Sequence, residues 1–569
     1  MAWTTACPDW AERLRTRQSI IPPPIYPDQA EYALGIFKQL KVVDLAQVYD
    51  EATGTYRHQT FGECSEEWVF DFVRAIFGGY DADTGKQRIR EYGLLISKKN
   101  TKSTIAAGIM LTAVIICWRQ EEEHLILAPT KEVADNSFKP AAAMIRADAE
   151  LSAMFHVQDH IRTITYVTTR NTLKVVAADT DTVSGKKSGR ILVDELWLFG
   201  KRANAVAMFL EALGGQISRD EGWVIYLTTQ SDDPPAGVFK EKLAYWRQVR
   251  DGTIVDPKTL GILYEFPEDM LEAKEYLDPA NFYITNPNIG RSVSAEWLGD
   301  QLKVLRARTD GAFQQFLAKH LNVEIGLNLR SDRWAGADHW QAQADKGLRL
   351  LGDFMRRVEV VTGGIDGGGL DDLLGLGLIG REIGTGRWLH WARAWAHPSV
   401  LERRREIAPR LRDFEQEGDL VIVNKIGDDV TELAQIIRRI YDAGLFPEKE
   451  GVGADPSGIT FAEAFAEAEI PEELLVGVSQ GWRMGGTIKT VERKLAEGTF
   501  AHAGRPMMAW SVSNARIEQR ANSILITKQA SGTAKIDPLM ALFDASHLMA
   551  LNPSASGKSV YESRGMRFL

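Results

Sequence analysis

Several things are scarce in this 569-residue sequence, and each scarcity excludes a class of protein. Three cysteines, Cys7, Cys64 and Cys117, are too few and too widely spaced for a disulfide framework or a zinc cluster, which fits a reducing intracellular compartment. No basic-then-apolar leader opens the chain, because Trp3, Asp9, Trp10 and Glu12 interrupt it. The most apolar run, Ile105 to Trp118, is too short to span a bilayer and is closed by Arg119 and by Glu121 to Glu123. It reads as a buried helix, and no membrane partner is expected. The ten histidines show no metal-ligand spacing, and no segment repeats. Excess positive charge is also missing: 67 Lys and Arg stand against 77 Asp and Glu, a formal net charge of −10. Bulk charge therefore lends no support to nucleic-acid binding, and any such contact must be confined to a local basic track.

What remains is an ordinary globular composition, 44% hydrophobic and 25% charged, in a chain too long for one core. Two regions alternate strand-like apolar runs with amphipathic helical patterns, the signature of α/β domains. In the first, the strands are expected at Tyr92–Ser97, His124–Ala128, Thr172–Ala177, Arg190–Val193 and Trp223–Thr228, with helices at Ser103–Trp118 and Lys131–Asp148. In the second, strands are expected at Val358–Ile365, Leu374–Ile379, Trp388–Trp395 and Gly451–Ala454. Between them lie the polar stretch Asn286-Pro-Asn-Ile-Gly290 and a charged helical segment, Ala295–Asn322. The pattern divides the chain into an N-terminal extension (1–60), a first domain (61–335), a second (350–550) and a flexible tail (551–569).

Chemistry concentrates at strand ends. Tyr92–Ser97 runs into Lys98-Lys99-Asn100-Thr101-Lys102-Ser103-Thr104 and then into an apolar helix. Strand, loop, Lys-Ser and helix form the context of a phosphate loop: backbone N–H groups and a helix N-terminus face the anion, a lysine reaches the β and γ oxygens, and a hydroxyl meets Mg²⁺. The usual glycines are absent, their places taken by Ile96 and Thr101. A β-branched Thr101 is strained if its φ is positive. Downstream, the strand Arg190–Val193 ends in Asp194-Glu195, fit to hold Mg²⁺ and to polarise an attacking water. The next strand ends in Thr228-Thr229-Gln230-Ser231, where a γ-phosphate sensor belongs. Each motif alone has a plainer reading, a solvated loop or a helix cap. Their order is the argument.

The second region delivers Asp366 at the end of Val358–Ile365, followed by Gly367-Gly-Gly369, and Asp455 before Pro456 after a second strand. A helix beginning at Asp537-Pro538 carries Asp544. Carboxylates converging from two strands and a helix suit two-metal phosphodiester cleavage, with Mg²⁺ or Mn²⁺ indicated by all-oxygen ligands. Glycines near such acids permit close approach of another backbone or a substrate. Asp537 and Asp544 stand about 10 Å apart along the helix, too far to share one ion; Asp537 also fits a helix cap. Asp371 and Asp372 read as an exposed hairpin, Asp428 and Asp429 as a helix start, and Trp388, Trp391 and Trp395 as packing residues.

The series Tyr80 to Arg90, then Ser97-Lys-Lys-Asn-Thr-Lys-Ser103, Asp194-Glu195, Thr228-Thr229-Gln230 and Asn286 to Gly290, resembles phage terminase large subunits of the HK97-like group. That family's loop usually reads Arg-Lys-Asn-Gly-Lys-Ser or Thr, so Lys98 and Thr101 depart from it. The resemblance, over roughly residues 60 to 548, implies an ASCE-type P-loop ATPase followed by an RNase H-like nuclease. It implies ATP and Mg²⁺ as cofactors, a loop of Lys98, Lys99, Asn100, Thr101, Lys102, Ser103 and Thr104 on the nucleotide, and Gln230 as sensor. It also makes Arg88 or Arg90 the candidate charge-stabilising arginine, places Glu67 and Trp68 near the adenine, and favours Asp537 over Asp544 as third nuclease acid. The partners it implies are double-stranded viral DNA, a small terminase subunit and the portal protein of a procapsid. The isolated chain would be monomeric and would form a ring on the portal, in the host cytoplasm. Two other readings fit the same chemistries: a helicase- or resolvase-like repair enzyme, and a nuclease with a degenerate, non-hydrolysing nucleotide module.

Overall fold

The computed structural model describes residues 3–177, 188–202, 204–306, 312–325, 334–455, 461–520, 523–527 and 535–557. Expectations for the middle of the charged segment (307–311), for Pro456 and for most of the tail (558–569) fall outside them. The chain divides into two units, Met1–Ile325 and Gly326–Leu569.

The first unit is built on an eight-stranded sheet. Its strands are β1 (Glu91–Leu95), β2 (Glu123–Ala128), β3 (Phe155–Gln158), β4 (Thr163–Tyr166), β5 (Thr172–Ala177), β6 (Ser188–Val193), β7 (Trp223–Thr228) and β8 (Thr259–Leu263). They lie in the order β8-β1-β7-β6-β2-β5-β4-β3. All neighbours from β8 to β5 are parallel, whereas β5-β4 and β4-β3 are antiparallel. The interior strands β6 and β7 are buried along their length, as expected of a parallel sheet covered on both faces. Helices α1 (Glu67–Phe77), α2 (Lys102–Ile115), α3 (Lys131–Arg146) and α4 (Ala312–Leu321) belong to this unit. One strand, β7, separates β1 from β6, so the loop after β1 and the acids after β6 flank a shared crevice at the carboxyl edge of the sheet. That edge is where open α/β sheets bind ligands.

The residues expected to form a separate extension are part of this unit. The Cys7 amide donates to the Arg250 carbonyl, the Arg250 guanidinium lies on the Trp10 ring, and the Tyr283 hydroxyl donates to the Arg15 carbonyl. Strands β3, β4 and β8 were not anticipated. The first two form a polar hairpin around His156, Asp159 and His160, and β8 is short and carries Gly261.

The second unit has a seven-stranded sheet. Its strands are β9 (Val358–Gly367), β10 (Leu373–Glu382), β11 (Trp388–Ala396), β12 (Leu420–Ile422), β13 (Val452–Ala454), β14 (Leu475–Gly477) and β15 (Phe500–His502). The main path runs β12-β11-β10-β9-β13-β14, with β15 also on β11. β9, β10 and β11 form an antiparallel meander, while β13 is parallel to β9 and β14 to β13. A three-stranded meander whose first strand is extended by two parallel strands is the RNase H-like order. Helices α5 (Asp428–Asp442) and α6 (Asp537–Ala550) belong to this unit, and α6 lies across β9 and β10. The boundary falls earlier than the sequence indicated: Trp334 and Trp340 are fully buried in this unit's core, with Trp334 edge-on to Phe543. Trp388, Trp391 and Trp395 are buried, and Asp428 and Asp429 open α5.

Candidate functional sites: a nucleotide crevice and an acid cluster

Between β1 and α2 the chain turns through two left-handed residues, Lys99 (φ 73°) and Thr101 (φ 57°). No glycine supplies this conformation, and for a β-branched residue it costs on the order of 1–3 kcal/mol. The surroundings hold it in place. The Asn100 side chain donates to the Ser97 carbonyl (3.1 Å) and to Asn286 Oδ1 (2.9 Å), and its Oδ1 accepts the Asn288 amide (3.0 Å). Asn288 Nδ2 donates to the Asn100 carbonyl and to Thr101 Oγ1, both at 3.1 Å, while Asn288 Oδ1 accepts the Trp68 indole N–H at 2.8 Å. Ser292 Oγ donates to the Lys99 carbonyl at 2.7 Å. The stretch Asn286 to Ser292 is the brace of this loop.

The loop aims two side chains at the acids after β6. Lys102 Nζ is 2.6 Å from Glu195 Oε1, and Ser103 Oγ donates to Asp194 Oδ2 at 3.0 Å. Ser137 Oγ of α3 donates to the same Asp194 oxygen at 3.0 Å. Glu195 is itself left-handed (φ 55°), and its Oε2 accepts the Trp197 indole N–H at 2.6 Å. Burial pushes the fully enclosed Asp194 carboxyl above its ordinary range. The largely buried Glu195 is driven below its range, because the Lys102 charge and the bonds from Lys102 and Trp197 outweigh desolvation. Lys102 likewise loses by burial but gains more from Glu195 and Asp194, so its ammonium is retained. A divalent cation beside Asp194 would reverse the desolvation penalty there. At the end of β7, Gln230 is 1% exposed, and neither atom of its carboxamide has a hydrogen-bond partner among the described residues. Such a group is the exception that asks for a ligand or a water.

Beside the loop, a cavity of about 240 Å³ is lined by Val42, Phe61, Val69, Thr101, Thr104 and Ile105, among others. Trp68 stands at its edge through Asn288, whereas Glu67 is exposed and paired with Arg74. The Lys98 amide donates to the Lys319 carbonyl, so this residue is fixed by α4. Arg88 stands away from the crevice of its own chain. It precedes β1, at the opposite end of that strand from the loop, where it pairs with Asp81 and bonds the Tyr26 hydroxyl. Arg90 is spent on the carbonyls of Gln216, Arg219 and Gly222. Within the chain, neither shares the crevice with Lys102.

In the second unit, register sets Gly364 beside Gly453 and Ile365 beside Ala454, so the next residues, Asp366 and Asp455, leave adjacent parallel strands together. Asp544 of α6 completes the group. It is fully buried, and neither carboxylate oxygen has a hydrogen-bond partner among the described residues. Burial, and then the charges of Asp366 and Asp455, push its carboxyl well above the ordinary range, and only nearby Gln480 relieves it. Gln480 Nε2 donates to Asp366 Oδ1 at 2.7 Å. Asp537, ranked first from the sequence, is buried at the first turn of α6 over Gly367 and Gly375. The charges of both strand acids act on Asp544. The Gly367 to Asp372 turn is pinned, since Lys535 Nζ bonds the Asp371 carbonyl and Asp372, and Arg404 pairs with Asp371. Among the described residues no three acidic, histidine or cysteine side chains converge as a ready-made metal cage. The all-oxygen donor set and the orphaned oxygens of Asp544 nonetheless fit a hard divalent cation.

A phosphate loop paired with acids on one sheet, followed by an acid cluster on an RNase H-like sheet, defines a nucleotide-driven enzyme joined to a nuclease. Two family matches say which. Residues 67–248 match the terminase large subunit ATPase domain, and residues 262–551 match the terminase large subunit endonuclease domain. The chain belongs to the terminase large subunit family and is an ATPase and endonuclease by its domains. Protein YmfN of Escherichia coli (strain K12) is 24% identical over 287 residues, 47% of this chain. The matched region spans 57% of that relative's length. Among solved structures, the chain is similar to the HK97 bacteriophage large terminase (18% identity, 91% of this chain and 99% of that one, TM-score 0.45). It is also similar to the large terminase of a thermophilic bacteriophage (13% identity, 82% and 95%, TM-score 0.30).

Proposed function

We propose that this chain is the motor and nuclease of a viral DNA-packaging machine. ATP hydrolysis in the first unit drives double-stranded DNA into a procapsid, and the second unit cuts the concatemer to begin and end packaging. The observation that supports it best is the crevice itself. Lys102 meets Glu195 and Ser103 meets Asp194, from segments about ninety residues apart, in a chain that also carries the acid cluster.

In the first unit, the left-handed loop and the start of α2 offer backbone N–H groups to the phosphates of Mg·ATP. Lys102 takes β and γ oxygens, and Ser103 and Asp194 form the magnesium side of the pocket. The base enters the cavity beside Thr104 and Ile105. Glu195, held ionised and oriented by Trp197, accepts a proton from the attacking water, and the Gln230 carboxamide orients that water. In the second unit, Asp366, Asp455 and Asp544, with Asp537 in reserve along the same helix face, hold Mg²⁺ or Mn²⁺. The ions, when bound, activate water and stabilise the leaving oxygen. Gln480 positions Asp366.

The partners in this reading are the small terminase subunit and the portal protein, with several copies in a ring on the portal in the host cytoplasm. No described helix is long and apolar enough to cross a membrane. The test is packaging of DNA into purified procapsids by the chain with its small subunit. Protected DNA should appear with ATP, disappear with Lys102→Ala, and remain uncut at the concatemer junction with Asp366→Asn. ATP-independent protection, or packaging unaffected by Lys102→Ala, would overturn the proposal.

A further inference from the structure

A second buried cation enters the ATPase crevice from α4. Lys319 is 8% exposed, and its ammonium donates to the Gln230 carbonyl at 2.8 Å and lies 2.9 Å from the centroid of the Trp197 ring. Among the described residues no carboxylate lies within ion-pair distance of it, whereas nearby Lys201 is matched by Asp232 and Asp233. Burying an ammonium without a direct counter-ion is costly, and an apolar side chain would cover Trp197 equally well. The burial drives its pKa down to about 7, opposed by Asp232 and Glu195 and reinforced by Lys98 and Lys201. At neutral pH such an amine is ionised only in part, and its charged form is the one that Asp232 and Glu195 favour.

The two groups Lys319 touches are the two that orient the reaction. Trp197 holds Glu195 Oε2, and Gln230 carries the orphaned carboxamide. Glu195 is neutralised here by Lys102, but a phosphate-loop lysine turns to the β and γ oxygens once nucleotide binds. Glu195 then loses its counter-charge, while Lys319 stays where it is. Its helix end is fastened to the same crevice: the Lys98 amide donates to the Lys319 carbonyl, Asn286 Nδ2 to the His320 carbonyl, and the Gln230 amide to Asn322 Oδ1.

We propose that Lys319 is a positioning residue of the ATPase centre, whose charge, through the Trp197 ring and the Gln230 carbonyl, keeps Glu195 and the Gln230 carboxamide in their reactive places while Lys102 is engaged with phosphate. The inference rests on the ATPase reading above and goes beyond it by adding a cation from the last described helix of the first unit.

Steady-state ATP hydrolysis by the full chain tests it, with Lys319→Met, Lys319→Gln and Lys319→Arg beside wild type and Lys102→Ala. Methionine removes the charge at similar volume, and glutamine keeps a donor to the Gln230 carbonyl without charge. Both should lower kcat by about tenfold or more while the KM for ATP stays within about threefold, and arginine should restore kcat to within about threefold of wild type. A merely structural lysine would give parallel losses in kcat and affinity that arginine, being larger, would not repair. That pattern, or wild-type kcat in Lys319→Gln, would overturn the proposal. Wild type that turns over no faster than Lys102→Ala would instead remove the ATPase reading itself.

Discussion

Replacing Asp544 by asparagine should make the protein more stable without metal and less responsive to it. In the absence of a cation this carboxyl is enclosed, has no hydrogen-bond partner among the described residues and faces Asp366 and Asp455. Its folded-state pKa is raised above the unfolded value. Its contribution to stability is therefore fully present below the unfolded pKa and is lost as pH rises through the folded one. At neutral pH the metal-free unit carries the penalty. Ionising an enclosed carboxyl that faces two others costs on the order of 1–3 kcal/mol at an effective dielectric constant of about 20. Asparagine removes the charge at nearly equal volume. For a unit of this size each kcal/mol moves Tm by about 2–4 °C, so Asp544→Asn should melt several degrees above wild type in chelator. Magnesium acts oppositely. A cation at about a hundred times its Kd stabilises the wild type by about 2.7 kcal/mol, and the variant should forfeit most of that along with DNA cleavage. Scanning calorimetry at neutral pH, with chelator and with excess magnesium, reads both effects. An Asp544→Asn variant that melts no higher than wild type in chelator would refute the buried-charge penalty. A greater loss of the magnesium response in Asp537→Asn than in Asp544→Asn would refute the placing of the cation at Asp544.

Glu195→Gln should lower ATPase kcat by about 10²–10⁴-fold with nucleotide affinity largely retained, because the group that accepts the proton is lost while the phosphate contacts remain; single-turnover hydrolysis and nucleotide titration separate the two. Asn288→Ala removes bonds to Asn100, Thr101 and Trp68. A loop holding two left-handed non-glycine residues should then relax at a cost of about 1–3 kcal/mol, seen as a rise of about tenfold or more in Kd for ATP. Buried Glu265 pairs with Arg247 and Arg250, and these cations outweigh desolvation to hold its carboxyl below the ordinary range. Its stabilisation is present above the unfolded pKa and is lost as pH falls through the folded one. Glu265→Gln should therefore destabilise the first unit by about 3–5 kcal/mol at neutral pH, and the deficit should shrink on acidification in urea melts.

Elements and motif order were the legible part of the first unit. Strand β1, the loop, α2 and the β6 acids stand where hydrophobic pattern and residue type put them, because each is a local property. The supporting contacts were not legible. Asn288 lies 187 residues from Thr101, and Ser137 lies 57 from Asp194. Only the folded chain makes them neighbours, and asparagine or serine in sequence reads first as a turn or a cap. Lys319 was invisible for the same reason, since in a charged helical segment a lysine reads as a solvated residue. The left-handed Thr101 follows from this brace: hydrogen bonds from Asn288 stand in for the conformational freedom a glycine would have provided.

The nuclease site turns on a signal that was visible in sequence but incompletely interpreted. Glycines near the strand acids suggested close approach of a backbone or a substrate, and the structure shows α6 approaching at Gly364 and Gly377. A Cβ on Gly364 would overlap the Ala541 carbonyl, and one on Gly377 would stand 2.7 Å from the Leu542 amide nitrogen. Thr362 Oγ1 donates to the Ala545 carbonyl at 2.8 Å, fastening the same helix to β9. At these glycines the backbone of the helix lies directly on the sheet. That contact brings Asp544, from the middle of α6, within electrostatic reach of Asp366 and Asp455. Helical periodicity alone left Asp537 and Asp544 on one face and could not choose between them. The depth at which the helix sits is what puts the Asp544 carboxyl under the charges of both strand acids, and that depth is written in the glycines of the strands rather than in the helix.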